Sequence, residues 1–184
     1  MYVGDFGENR REMPTDLSES MLAGSARLLM AKADQEAALS RRGACLSIAA
    51  RAIPGEALVF QGQADKAQRM IRAARWVHDF TARNPRLPLD LVPTGQASQV
   101  RAVFQGSPLP GAQAQLITSF GWRRSLKADA QGLLQLSLPW RGVYVLELQH
   151  ADASASAMAG QPYTTTLSFH WTQGLESPAR SVGP

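Results

Sequence analysis

Few residues in this chain are of a type and spacing that could do chemistry, and the histidines come first. His150 and His170 each sit at the end of a run of alternating apolar residues. If those two runs pair as strands, the imidazoles can converge on a divalent transition metal, with Glu147 or Asp152 as a carboxylate companion. The plain alternative is that both are ordinary strand-end side chains. The third histidine, His78, is followed by Asp79, and neighbours in a strand point to opposite faces, so that pair makes no site. Cys45 is the only cysteine, which excludes an intramolecular disulfide and a cysteine-built metal knuckle. Its apolar surroundings suggest a packed thiol. No Gly-x-Ser-x-Gly elbow, phosphate-cradling glycine loop or dinucleotide fingerprint occurs, so no catalytic residue is expected.

Aromatic residues offer a different chemistry. Trp122, Trp140 and Trp171 could present flat rings for stacking on a sugar or an aromatic ligand, or could pack against a core or an edge. Arg123, Arg124 and Arg141 lie beside them and suit an acidic partner, although arginines also keep an edge strand soluble. Trp122, Arg123, Trp140 and Arg141 are therefore the candidate interaction residues. His150 and His170 are the candidate metal ligands.

The elements that must position these residues are strands. Past the proline-rich Asn84-Pro85-Arg86-Leu87-Pro88, Leu89–Pro93 and Gln99–Gln105 read as short strands separated by turns. Ala112, Ala114, Leu116, Thr118 and Phe120 then fall on one face, with Gln113 and Gln115 on the other. Leu134, Leu136 and Leu138 alternate with Gln135 and Ser137, Tyr144, Leu146 and Leu148 with Val145, Glu147 and Gln149, and Thr165, Leu167, Phe169 and Trp171 with Thr166, Ser168 and His170. A period of two, repeated in short runs joined by Gly/Pro turns, predicts an antiparallel β-sandwich.

The first half is less decisive. Ala26–Ala33 suits a strand or a helix. Leu46–Ala52 and Ala57–Gln61 suit strands around the Pro54-Gly55 turn, and Met1–Asp16 suits a short strand and a loop. Ala67–Ala82 has apolar residues at helical spacing, yet Trp76, Val77 and Phe80 favour a strand. The proline-rich break is taken as the division between a β-rich N-terminal lobe, 1–88, and a C-terminal lobe, 89–184.

Composition bounds the rest. With 45% hydrophobic and 18% charged residues, the chain is globular rather than disordered. The net charge of +4 gathers mainly between Lys66 and Arg86, where no nucleic-acid motif accompanies it, so a solvated face is expected there and no nucleic acid is expected as a partner. No apolar run approaches the ~20 residues of a membrane-spanning helix. No charged and then apolar leader opens the sequence, so any export signal is expected to have been removed.

Several stretches in order resemble an exported bacterial family of unknown function, often labelled nickel-uptake-like (NikM-like) or cobalt/nickel-transport periplasmic component. They are Leu87–Gly95, Gln105–Ala112, Gly121-Trp122, Asp129–Gly132, Leu138–Glu147, His150 and Thr164–Phe169, which span nearly all of the second half. Tyr2–Glu8 and Ala74–Asp79 resemble the family's first half more loosely. Thr164 stands where family members carry an Asp. The resemblance implies two β-sandwich-like lobes, the second Ig-like or prealbumin-like, similar to carboxypeptidase regulatory domains. It also implies export to the periplasm and a setting among metal or siderophore uptake genes. The leading expectation is a non-enzymatic periplasmic accessory protein in metal-ion or iron-chelate uptake, with a divalent transition metal such as nickel or cobalt as the cofactor to test and a transport-system or cell-envelope protein as partner. An Ig-like interaction module with no metal role is the alternative.

Overall fold

In the computed structural model the backbone is described for residues 26–29, 34–37, 39–42, 45–48, 56–61, 71–152 and 161–176, and side chains for 71–151 and 162–176. Fourteen strands and no helix occur among the described residues. The first six are β1 (Ala26–Leu29), β2 (Asp34–Ala37), β3 (Leu39–Arg42), β4 (Cys45–Ile48), β5 (Glu56–Gln61) and β6 (Ile71–Val77). Beyond the proline-rich break follow β7 (Leu89–Pro93), β8 (Gln99–Phe104), β9 (Ser107–Pro108), β10 (Gln113–Thr118), β11 (Arg123–Lys127), β12 (Leu133–Gln135), β13 (Gly142–Asp152) and β14 (Gln161–Trp171). No helix of the described residues is long and apolar enough to cross a membrane.

The chain is mainly β, with two principal sheets and a separate β3–β4 hairpin. The large sheet has eight strands in the order β11-β10-β13-β14-β6-β5-β1-β2. The small sheet runs β12-β8-β7, with β9 paired to β8. Every pairing is antiparallel except β6 with β14, which runs parallel from Ile71↔Tyr163 to Val77↔Phe169. The strand preceding the proline-rich break is thus hydrogen-bonded to the last described strand, and β5, β1 and β2 extend the large sheet beyond it.

Alternation along each strand puts one side-chain set into a shared core. Leu116, Leu146, Leu148, Leu167 and Phe169 come from the large sheet and Leu89, Leu91, Val100 and Leu134 from the small one, all fully or nearly fully buried. Each such side chain contributes about 1.5–3 kcal/mol by leaving water. The expected leucine ladder is shorter than its pattern: pairing stops at Gln135, yet Leu136 remains buried because its N–H donates to the Ser98 carbonyl at 2.8 Å. Between the two candidate patterns of Ala67–Ala82, the strand prevails over Ile71–Val77, where β6 has a partner on each side, while residues 67–70 lie outside the described residues.

The expectation of a solvated basic face fails at Arg75. Its side chain has no exposure and is held by Asp90, also fully buried. Nε donates to Oδ1 at 2.9 Å and Nη2 to Oδ2 at 2.6 Å, a two-pronged pair. Asp90 further accepts the backbone N–H groups of Arg86, Leu87 and Leu91, and Arg75 donates to the Asn84 carbonyl at 3.2 Å. One ion pair therefore fixes the proline-rich segment onto both β6 and β7. Met1–Asp16 and the residues between Asp152 and Gln161 lie outside the described residues. Cys45 falls in β4, but the packed-thiol expectation concerns a side chain outside the described set.

After β14 the chain turns back to the start of β13. Leu175 N–H donates to the Pro139 carbonyl at 2.9 Å, and Arg141 N–H donates to the Leu175 carbonyl at 2.8 Å. Gly174 makes the return with φ at +94°, where a Cβ would stand 2.6 Å from the Pro139 oxygen. Gly174→Ala is expected to cost roughly 1–3 kcal/mol, since the backbone is strained for an L side chain and the blocking atom is itself backbone. Hydrogen exchange checks this: the Arg141 and Leu175 amides should lose protection while Leu146 keeps its own.

Candidate functional site

All four tryptophans of the chain gather at one end of the large sheet. Trp76 is the penultimate residue of β6, Trp122 closes the β10–β11 tip, Trp140 precedes β13 and Trp171 ends β14. The register brings these positions to the same end: Trp76 lies beside Ser168, Gly142 opposes Trp171, and Tyr144 opposes Thr118.

Local chemistry fixes each of them. At the β10–β11 tip, Thr118 N–H donates to the Trp122 carbonyl at 3.0 Å, and Trp122 N–H donates to Thr118 Oγ1 at 3.1 Å. Gly121 supplies the positive φ of 96° that the turn needs. Trp140 is anchored through its backbone by a tyrosine four residues on. The Tyr144 hydroxyl donates to the Trp140 carbonyl at 2.8 Å and accepts its N–H at 3.1 Å. Burial raises the Tyr144 pKa, and the bond with the Trp140 backbone opposes that shift.

The rings meet edge to face. Trp122 and Phe120 both pack on Trp140, with centroids 5.2 and 5.1 Å away, and all three are half-buried. Phe80 meets Phe169 at 4.9 Å and Trp171 at 6.1 Å, again edge to face, while Tyr144 stacks on Phe169 at 5.7 Å. Such pairs contribute about 0.5–1.5 kcal/mol each beyond area burial. An aromatic series thus leads from the core to the rim, where Leu175 is 69% and Trp76 41% exposed. Arg123 and Arg141, both exposed, flank it. Trp122, Arg123, Trp140 and Arg141 are therefore brought together, and Trp171 lies on the same end.

The two candidate metal ligands are not brought together. β13 and β14 do pair, but antiparallel, with His150 opposite Tyr163 and His170 opposite Val143. Seven residues of strand therefore separate them, roughly 23 Å at about 3.3 Å per residue. His150 is half-buried and meets the Phe104 ring edge to face at 4.6 Å, and Phe104 also contacts Tyr163. His170 is exposed at the tryptophan end, where His78 also emerges one residue past the Val77↔Phe169 pair. Among the described residues, no three His, Cys, Asp or Glu side chains are grouped to hold a metal ion.

Sequence reasoning missed Tyr144 and Phe120 as parts of this end. Tyr144 reads as one more inward residue of an alternating run, and only the four-residue offset to Trp140 hints at a second task. A polar groove of about 550 Å³ also lies on the outer face of the large sheet, lined by Gln113, Gln115, Ser125, Lys127, Glu147 and Gln149. No protein-family model matches the chain, and none of the curated proteins matches it.

Proposed function

We propose that the chain is a non-enzymatic binding protein of the bacterial periplasm whose tryptophan end docks on a protein or polymer of the cell envelope. The observation that carries this is the half-exposed Phe120–Trp122–Trp140 cluster between Arg123 and Arg141. Rigid aromatic and arginine side chains are the types that dominate binding energy at interfaces. The periplasmic location and the setting in metal-ion or iron-chelate uptake rest on the family resemblance alone, with a transport-system component as the partner it favours.

The Ig-like or prealbumin-like character of residues 89–184 belongs to the same proposal. Support for it comes from Tyr144, whose hydroxyl returns to the backbone four residues upstream, as in the tyrosine corner of Greek-key sandwiches. Residues 1–88 would add the β-rich lobe whose strands lengthen the large sheet.

A direct metal role, with nickel or cobalt bound, is the second reading. The separation of the histidines leaves His150 and His170 as two independent candidates, of which the resemblance covers His150. Calorimetry with nickel, cobalt, copper and iron tests it: heat lost in His150→Ala supports it, and no heat in the wild type removes it.

The docking reading is tested with Trp140→Ala and Trp122→Ala. The Trp140 backbone, not its ring, bonds Tyr144, so the fold should survive the first substitution. Immobilised wild type should retain a defined partner from periplasmic extract, and each variant should lose it by a factor of roughly 30 or more. Equal retention by both variants would remove the tryptophan end as the docking surface.

A further inference from the structure

The strand that leaves the tryptophan end is also the edge of the large sheet. β11 has β10 on one side and no described strand on the other. Four of its five side chains are exposed, and only Leu126 is partly buried against the core. Residues 89–184 contain six Lys/Arg, and three of them, Arg123, Arg124 and Lys127, stand on this one strand.

We propose that β11 accepts an extended acidic segment of a partner protein as an added antiparallel strand, which begins opposite Lys127 and ends beside Trp122. This rests on the docking reading and names the chemistry of what docks there. An unpaired edge offers backbone N–H and C=O groups in a fixed repeat, which give affinity to any extended chain, and the side chains then select among candidates. Three cations on five residues select against a second copy of this chain, because antiparallel edges would place like charges together. They favour carboxylates.

Alternation makes the selection more specific. Arg123, Ser125 and Lys127 share the outer face, with Ile117, Gln115 and Gln113 as their partners on β10. Arg124 and Leu126 share the core-facing side, opposite Leu116 and Ala114. An antiparallel guest would therefore read, from its N-terminus, acidic opposite Lys127, apolar opposite Leu126, neutral opposite Ser125, and acidic opposite Arg124 and Arg123. The sequence Glu-Val-Thr-Glu-Glu satisfies that order.

The test is a labelled dodecapeptide with Glu-Val-Thr-Glu-Glu at its centre, titrated into the full chain by fluorescence anisotropy. Binding should weaken steeply with salt, and Arg124→Glu/Lys127→Glu should lower affinity roughly 30-fold. Two further peptides are N-methylated at alternate amides. One set should lose about tenfold and the other nothing, because successive amides point toward and away from β11. Equal binding of both methylated peptides, equal competition by polyphosphate of the same charge, absence of peptide binding, or a dimer abolished by the same charge reversal would each overturn strand addition.

The Trp140→Ala protein separates this from the docking reading. Partner capture that needs Trp140, together with no peptide binding, removes strand addition alone. Peptide binding with capture indifferent to Trp140 removes the tryptophan docking surface and leaves β11 as the recognition element.

Discussion

Asp90→Ala should destabilise the protein by about 3–5 kcal/mol, the largest effect expected of any single substitution considered for this chain. The change leaves the Arg75 guanidinium buried without its carboxylate, still donating to the Asn84 carbonyl, and strips the acceptor from the backbone N–H groups of Arg86, Leu87 and Leu91. Many buried ion pairs can be exchanged for apolar residues at no net cost. This one should not permit it. In Arg75→Met/Asp90→Leu the charges disappear together, but three backbone donors still lose their acceptor, so the double variant should remain about 2–3 kcal/mol less stable than the wild type. Urea titrations of the wild type, the single variant and the double variant decide the matter. A double variant as stable as the wild type would show that the ion pair, and not the backbone donors, accounts for the cost.

Tyr144→Phe should cost about 2 kcal/mol, because it removes both bonds to Trp140 and leaves a partly buried N–H and C=O without the hydroxyl. It should also change the response to alkali. The folded-state pKa of Tyr144 is raised above its ordinary value of 10.0, chiefly by burial. The folded protein therefore holds this proton more tightly than the unfolded chain does. Its contribution is fully present below about pH 10 and is lost as pH rises through the higher folded value. Stability curves for wild type and variant, measured from pH 8 upward, should accordingly converge above pH 10. Parallel curves would mean that Tyr144 ionises in the folded state as freely as in water.

Much of the fold beyond the proline-rich break was legible because strands such as β10 and β13 are covered chiefly on one face. Ala114, Leu116 and Thr118 against Gln113 and Gln115, or Tyr144, Leu146 and Leu148 against Glu147 and Gln149, carry burial directly in residue type. β11 was illegible because neither face is well covered: with exposure on nearly every position, Arg-Arg-Ser-Leu-Lys has no alternation to read. Asp90 is a different failure. All five residues of β7 are buried, so its single carboxylate has no polar face to announce it. Its partner Arg75 lies 15 positions upstream within a run of surface-like cations, and no local pattern links the two.

The candidate site divides along similar lines. Trp122 with Arg123 and Trp140 with Arg141 stand out in the sequence as two aromatic and cationic neighbours at strand ends. Whether those ends meet is set by register, which residue types do not encode beyond choosing a face. The same limit applies to the histidines. Each ends an apolar run, but the sequence does not say whether two ends are adjacent or opposite, and the β13–β14 register puts His150 and His170 at opposite ends.

The parallel pairing of β6 with β14 has a consequence for how the chain acquires its shape. It joins Ile71 to Tyr163, positions 92 apart, and β5, β1 and β2 reach the large sheet only through β6. The early strands can pair with one another, and Arg75–Asp90 can tie β6 to β7, but the two halves of the large sheet are joined only once β14 has been made, and closing so long a loop is slow.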